Sequence, residues 1–194
     1  MGNQIETSIE VQLTNRDRTT VFWRGILAFP AFIFLASFTQ LSHVSWSTPV
    51  LVIPAGLALI VRGVYPSYVL TFNHAVMELS TRVGAYLLLL TDDYPSIERN
   101  PNIAVIFPDI EAGTKLNRWL PLVKWFLAIP LYFVGFFYLL LTLVLSFYAW
   151  IVTAATGNYP ESVAKTVLGT IEYWNRVYGY SVALVTDEYP SFSL

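Results

Sequence analysis

The sequence contains no cysteine and few charged residues. Without cysteine there are no disulfides, thiolate catalysis, iron–sulfur clusters or zinc–thiolate sites. Charged residues make up 12% of the 194-residue chain, compared with roughly 25% in a soluble domain. The net charge of −2 provides no broad basic face for a phosphate backbone, so nucleic acid is not expected as a partner. With 55% hydrophobic residues, the chain cannot cover itself with polar surface, and membrane lipids are its expected surroundings.

Motifs for catalysis are also missing from the sequence. There is no Gly-x-Ser-x-Gly elbow, glycine-rich phosphate loop or metal-spaced His/Glu pair. The two histidines, His43 and His74, have no evident partners for haem ligation or acid–base work. The sequence therefore predicts a protein that is not an enzyme and that needs no cofactor and no metal.

One series of motifs occurs twice along the chain. Each occurrence has Gly-x-Tyr-Pro, then Glu and Arg four residues apart, then Thr-Asp, a second acidic residue and Tyr-Pro-Ser. The positions are Gly63–Pro66, Glu78, Arg82 and Thr91–Ser96 in the first half, and Gly157–Pro160, Glu172, Arg176 and Thr186–Ser191 in the second. Self-similarity of this length predicts two tandem repeats, residues 1–97 and 98–194, packed about a pseudo-twofold axis.

Two windows, residues 25–61 and 125–160, contain no Lys, Arg, Asp or Glu. Because one crossing needs roughly 20 residues, each window has room for two, which predicts transmembrane hairpins at about residues 20–62 and 118–156. Their turns are expected near residues 41–46 and 138–146. An alternative is that the hairpins are re-entrant and do not fully cross.

The basic residues lie outside both windows. If both hairpins cross, these residues flank one side of the bilayer, which the positive-inside rule makes cytoplasmic, with both termini inside. Arg24 and Lys124, each six residues before a hairpin proline, are expected to reach up to the lipid headgroups.

The segments flanking each hairpin show shorter patterns. After it, apolar residues spaced by three and four predict an amphipathic interfacial helix, at about residues 66–91 and again at about 160–186. Before it, Ile9–Leu13 and Ile103–Phe107 alternate as strands do, and they are expected to pair with each other or with a partner protein. The predicted fold is an all-α integral membrane protein in which each repeat has a short strand, a transmembrane helical hairpin and an amphipathic interfacial helix.

Four charged residues are candidates for a site. Glu78 and Arg82 share one helix face, as do Glu172 and Arg176, and each pair is a candidate for lipid-headgroup or inter-repeat polar contacts. The plainer alternative is an exposed ion pair worth a few tenths of a kcal/mol.

Two acidic pairs follow the interfacial helices. Asp92-Asp93 and Asp187-Glu188 could together bind a hard cation if the repeats bring them close. Thr-Asp before Tyr-Pro is also ordinary turn chemistry, which is the favoured interpretation.

The second half resembles a known bacterial membrane family, catalogued as domain of unknown function 4389. The residues that carry the resemblance are Leu116–Pro130, Gly157–Pro160 and Thr186–Leu194, and the first half is similar more loosely. The resemblance implies a bacterial membrane protein and no particular activity. In that family the Ile-Pro is often followed by His and Tyr, whereas this chain has Leu131-Tyr132 and, in the first half, Ala31-Phe32.

These observations predict a non-catalytic accessory or scaffold subunit of a larger complex in the bacterial inner membrane. The chain is expected to cross this membrane several times. The expected partners are membrane lipids and other integral membrane proteins. The alternative is a lipid-binding or small-molecule transport module that uses Arg82 and Arg176 on the cytoplasmic side.

Overall fold

The computed structural model describes residues 3–38, 51–98 and 100–194, and these residues are mostly helical, with one small sheet. The helices and strands in chain order are β1 (Glu6–Ile9), α1 (Arg18–Leu27), α2 (Phe29–Ser37), α3 (Val52–Arg62), α4 (Ser67–Leu87), β2 (Ile103–Ile106), α5 (Pro121–Leu127), α6 (Ile129–Thr156) and α7 (Glu161–Ser181). The turn predicted at residues 41–46 lies outside the described residues, as does His43.

The two strands pair with each other in antiparallel fashion, with Ile9 opposite Ile103. This confirms one of the two pairings that their alternating patterns predicted. The first strand lies earlier in the chain than expected, because β1 ends at Ile9. One further bond follows the strand, from the N–H of Glu10 to the carbonyl of Asn102 at 2.9 Å, and the N–H of Gln12 then donates to the carbonyl of Leu90 at 2.9 Å.

Helices α4 and α7 correspond to the two predicted amphipathic helices. The helix before each one ends at a glycine in the left-handed region, Gly63 at φ 67° and Gly157 at φ 77°, where a side chain would be strained. Helices α4 and α7 themselves end a few residues earlier than predicted, at Leu87 and Ser181. Leu89 and Leu184, with φ of 67° and 58°, turn the chain just beyond the helix ends.

The second predicted hairpin is wrong, because α6 is a continuous helix of 28 residues. It passes through residues 138–146 without a turn. After Pro130 this segment has one glycine, Gly135, and otherwise residues that a helix tolerates well, so nothing interrupts the backbone hydrogen bonds. At about 1.5 Å per residue the helix is roughly 42 Å long. Without a hairpin here, the argument that put all basic residues on one side of a membrane loses its basis.

Two helical segments are long and apolar enough to cross a membrane, Arg18–Ser37 and Ile129–Thr156. The first combines α1 and α2, which are joined through the helical residue Ala28. Only 22% of the first segment's most apolar window and 17% of the second's are buried inside the structure. Most of their apolar side chains therefore face outward.

The elements are stacked in three layers, with α4 and α7 in the middle. On one side lies the sheet, where Asn175 of α7 donates to Thr7 of β1 at 2.9 Å. On the other side lies α6, whose Leu131 carbonyl accepts from the hydroxyl of Tyr173 at 2.7 Å. At 100° per residue, positions 173 and 175 point in nearly opposite directions on α7, so this helix is covered on two opposite faces.

Candidate functional site: two buried ion clusters and a central cavity

Two arginines and one aspartate meet where α1 packs against the turn after α4. Arg24 donates to the carbonyls of Tyr86 and Thr91, at 3.0 and 2.7 Å, and it also pairs with Asp92. The second arginine, Arg16, lies 3.0 Å from the same carboxylate. The guanidinium of Arg24 lies 4.3 Å from the centre of the Tyr86 ring, as in a cation–π contact. We call Arg16, Arg24, Tyr86 and Asp92 the Arg24 cluster.

The Arg24 cluster has one positive charge more than its single carboxylate can neutralise. Burial lowers the pKa of Arg16 to about 10, with Asp92 opposing this shift and Arg24 adding to it. The guanidinium is still charged at neutral pH. Carbonyl oxygens stabilise the excess charge, among them those of Gln12 and Leu89, which accept from Arg16 at 2.8 and 2.9 Å.

A second cluster is built around Lys124 of α5, five residues before α6 begins. The ammonium of Lys124 is 2.7 Å from the carboxylate of Asp187, and it donates to the carbonyl of Thr186 at 2.6 Å. It also lies 5.2 Å from the centre of the Tyr180 ring. Burial lowers the pKa of Lys124, and Asp187 opposes that shift. We call Lys124, Tyr180 and Asp187 the Lys124 cluster.

The two clusters are assembled from corresponding motif residues in the same way. Asp92 accepts a hydrogen bond from the backbone N–H of Asp17 at 3.2 Å, and Asp187 accepts one from that of Asn117 at 2.5 Å. In both, a cation from the helix before the proline meets the aspartate of Thr-Asp. The main difference is Arg16, which gives the Arg24 cluster its second cation.

The expectation that Arg24 and Lys124 reach lipid headgroups is wrong. These residues are only 2% and 1% exposed, because each is bonded to an aspartate and to carbonyl oxygens of its own chain. A signal for this was present in the sequence. A cation six residues before the proline recurs together with Thr-Asp in both halves, and a repeated cation and a repeated anion are natural partners.

The first of the predicted site pairs is a buried ion pair. Glu78 and Arg82 lie 3.0 Å apart, with side chains 8% and 3% exposed. The other terminal nitrogen of Arg82 donates to three successive carbonyls, those of Ser96, Ile97 and Glu98. Arg82 thus fixes the chain just beyond the Tyr-Pro motif onto α4.

The second pair is arranged differently. Arg176 donates to the carbonyl of Ser193 at 2.6 Å, and no ion pair joins it to Glu172 within the described residues. Burial raises the pKa of Glu172, while Arg176 opposes the shift. Both arginines therefore tie down the segment after their own Tyr-Pro-Ser, but only Arg82 has a carboxylate partner in the structure.

The four carboxylates considered for a cation do not come together. Asp92 belongs to the Arg24 cluster and Asp187 to the Lys124 cluster, each already paired with a cation. Within residues 3–38, 51–98 and 100–194, no group of three or more His, Asp or Glu is arranged to hold a metal ion.

Several polar contacts between the two halves are made by residues that were not among the four predicted site residues. Asn175 donates to Thr81 at 3.1 Å, where α7 meets α4. The hydroxyl of Tyr65 donates to the carbonyl of Ala183 at 2.7 Å, and that of Tyr159 to the carbonyl of Leu88 at 3.1 Å. Each Gly-x-Tyr-Pro tyrosine thus reaches the turn after the helix of the other half. These tyrosines stood in the repeated motif, but a motif alone does not tell which half its residue contacts.

A cavity of about 230 Å³ lies between α4, α6 and α7. Its wall includes Thr81, Asn175, Thr142 and Trp174 along with apolar side chains. The indole N–H of Trp174 is buried and has no hydrogen-bond partner in the structure. An unpartnered donor in a small, mostly apolar space suits a guest with one acceptor group, such as a carbonyl.

Comparison with known proteins bears on the second half of the chain. The family model described as domain of unknown function (DUF4389) matches residues 118–193. Residues 118–193 are a DUF4389 domain. The match confirms the resemblance seen in the motifs around the Ile129-Pro130 and Thr186-Asp187 dipeptides. The DUF4389 domain contains α5, α6 and α7 and all residues of the Lys124 cluster. Neither the curated proteins nor the solved structures contain a match to the chain.

Proposed function

We propose that the chain is a non-catalytic integral membrane accessory or scaffold subunit of a larger complex in the bacterial inner membrane. The observation that carries the proposal is the contrast between an apolar exterior and polar groups bound internally. The Arg24 and Lys124 clusters and the Glu78–Arg82 pair hold the segments that follow α4 and α7 onto helices of the same chain. Charged side chains that bind groups of their own chain favour a rigid fold.

The apolar exterior is clearest on α6. Its buried stripe, which packs against neighbouring helices, consists of Leu131, Gly135, Thr142, Ala149 and Thr153. Around it, large apolar side chains are exposed, such as Phe133 at 66%, Val144 at 68% and Phe147 at 64%. A helix that is apolar all round suits lipid tails and the apolar faces of other membrane proteins.

Matching contacts support the further proposal that the two halves are tandem repeats. A pseudo-twofold axis through the β1–β2 pair, passing between Thr81 and Asn175, would exchange the two tyrosine bonds and the two ion clusters. In a scaffold of this kind, the DUF4389 domain and the first half form one rigid body.

Purification from native membranes in a mild detergent tests the scaffold proposal. We expect a tagged chain to retain a partner at fixed stoichiometry, measured by intact mass. A photo-crosslinking residue at exposed Val144 should join this partner, whereas one at buried Val21, which is 0% exposed, should not. A chain that migrates alone and crosslinks only to lipid would contradict the proposal.

A second candidate function is a lipid-binding or small-molecule transport module, favoured by the central cavity. The role first expected for Arg82 and Arg176 has less support, since both bind carbonyls of their own chain. Native mass spectrometry of the wild type and of Trp174→Phe tests it. Loss of a specific bound molecule in the variant, with an unchanged fold, supports this function, and equal retention counts against it.

A further inference from the structure

We propose that α6 lies along a single leaflet of the membrane, parallel to its plane, so that the lipid partner of this chain is one leaflet. The inference rests on the proposed membrane embedding. The length and apolarity of α6 by themselves also permit a full crossing. The in-plane orientation is inferred instead from the elements that pack against α6.

The first step is that α6 and α7 run side by side in opposite directions. Near the start of α6, the Leu131 carbonyl accepts from Tyr173 at 2.7 Å. At its middle, the hydroxyl of Thr142 donates to that of Thr170 at 2.8 Å. Towards its end, Ala149 shares a buried cluster with Val163 of α7. Any orientation of α6 in the membrane is therefore also the orientation of α7.

The second step is that α7 does not suit a crossing. It carries Glu161, Lys165, Glu172 and Arg176 along its length, and the first two are 65% and 76% exposed at the side chain. Glu172 lies at the middle of α7, and one charge at the centre of a bilayer costs about 2.5–3.5 kcal/mol on insertion scales.

The sheet makes a crossing less favourable still. It covers the face of α7 opposite α6, with Asn175 bonded to β1. If α6 crossed the bilayer, this sheet would stand beside it in the hydrocarbon together with the exposed Glu6. A two-stranded sheet has open edges, and unpaired backbone groups do not occur in contact with lipid tails. With α6 in the plane, the sheet lies on the water side of the middle layer.

The third step concerns the two ends of α6. It begins just after Lys124, and at its end the backbone N–H of Arg16 donates to the carbonyl of Gly157 at 3.1 Å. The side chain of Arg18 donates to the neighbouring carbonyl of Thr156 at 3.2 Å. The Lys124 and Arg24 clusters therefore mark its two ends. The clusters are built alike and are exchanged by the pseudo-twofold axis proposed above. With that axis along the membrane normal, both ends of α6 lie at the same depth, whereas a crossing α6 would need the axis in the membrane plane.

The dimensions also fit one leaflet. A helix with its side chains is about 10–12 Å across, and half of a hydrocarbon core about 30 Å thick is roughly 15 Å. Trp23 in α1, Trp119 just before α5 and Trp125 in α5 are 51%, 66% and 55% exposed. Exposed indoles are typical of the boundary between headgroups and tails.

The absence of cysteine makes a direct test possible. Asn117→Cys places a thiol beside the Lys124 cluster, since the backbone N–H of Asn117 donates to Asp187, and Ser162→Cys places one near the end of α6. Both positions are exposed. An impermeant maleimide is applied to sealed vesicles of known orientation, and detergent-opened vesicles show that both thiols react. We expect both variants to be labelled from the same side, and labelling from opposite sides would overturn the inference.

Depth along α6 provides a second readout. Fluorophores on cysteines at positions 133, 140 and 147 share one exposed face of the helix. A nitroxide near the lipid headgroups should quench all three to a similar extent. A crossing helix would instead show the weakest quenching near its middle, at position 140. Flotation with vesicles after alkaline extraction tests the embedding separately, because failure to float contradicts the proposed membrane function whatever the direction of α6.

Discussion

The side-chain amide of Asn175 donates to the hydroxyl of Thr81 at 3.1 Å, and the two residues are 94 positions apart. Glu78 and Glu172 are separated by the same distance along the chain, since 172 − 78 = 94. Thr81 and Asn175 therefore hold corresponding places in the two halves, and they meet each other in the middle layer. Asn175 also donates to Thr7 of β1 at 2.9 Å, so this one side chain connects α7 with both α4 and the sheet.

Replacing Asn175 by alanine should destabilise the protein. The change removes the two hydrogen bonds that the Asn175 amide donates and leaves the hydroxyls of Thr81 and Thr7 without this donor, which costs about 1–3 kcal/mol per unsatisfied group. Thermal unfolding in detergent measures the loss. A cycle with Thr81→Val should give a coupling of about 0.5–3 kcal/mol. The exposed Thr71 bonds only within its own helix turn, so Thr71→Ala should change stability by less than about 0.5 kcal/mol.

The repeated Glu and Arg should respond differently to the same substitution. Glu78→Gln removes the carboxylate 3.0 Å from buried Arg82, and the loss of a charged hydrogen bond costs about 1.5–3 kcal/mol. Glu172→Gln removes a carboxylate that burial disfavours and that has no ion pair in the structure, so stability at neutral pH should be unchanged or higher. Melting temperatures of the two variants decide the matter. Equal losses would mean that both pairs are bonded alike.

The same contrast predicts a pH dependence. Burial raises the pKa of Glu172, so between its ordinary value of 4.5 and the higher folded value the unfolded chain has lost a proton that the folded chain still holds. The free energy of unfolding therefore falls as pH rises through this window. Glu172→Gln removes this decrease in the free energy of unfolding. The stability of the variant relative to the wild type should therefore increase from pH 4 to pH 7.

Glu161→Gln is the control for this pH series. The pKa of Glu161 is lowered by Lys165, so its carboxylate favours the folded state above pH 4.5. The difference between this variant and the wild type should have the opposite sign and be small, because the ion pair is exposed. An unchanged slope in Glu172→Gln would contradict the assignment.

Elements defined by local chemistry were predictable from the sequence. A glycine and a Tyr-Pro punctuate the chain before α4 and α7 in the same way in both halves, and periodic apolar residues follow. Alternation located the second strand, but it placed the first strand at Ile9–Leu13 instead of Glu6–Ile9. The need to satisfy backbone groups predicted a partner for each strand, either the other strand or another protein. The match of residues 118–193 to DUF4389 includes the second copy of these motifs.

The path of the long apolar segments was not predictable in the same way. A run such as residues 129–156 has no polar pattern, so its length permits two short crossings or one long helix. Gly135 allows α6 to approach Trp174 closely in the folded protein. A lone glycine in a sequence does not reveal which residue packs against it. The burial of Arg24 and Lys124 was missed because their aspartate partners lie more than 60 residues further along the chain.

The two aspartates of the ion clusters should differ in importance. Asp92→Asn leaves both Arg16 and Arg24 buried without a carboxylate, and breaking a buried ion pair costs about 3–5 kcal/mol. Asp187→Asn leaves only Lys124, whose pKa burial already lowers and which can become neutral more readily than a guanidinium. We expect the larger drop in melting temperature for Asp92→Asn. Equal drops would show that the presence of Arg16 beside Arg24 does not make the carboxylate more important for stability.

The close approach of α6 to α7 depends on Gly135. A Cβ at this position would lie 2.8 Å from Trp174 and 3.0 Å from Tyr173, both on ring atoms that are held by packing. Gly135→Ala should therefore cost about 1–3 kcal/mol through overpacking, even though alanine favours a helix. Gly25 in α1 has nothing within 4 Å of the same built atom, so Gly25→Ala should stabilise the helix by up to about 1 kcal/mol. The two melting temperatures should move in opposite directions, and a gain in both would mean that α6 and α7 are not in contact at Gly135.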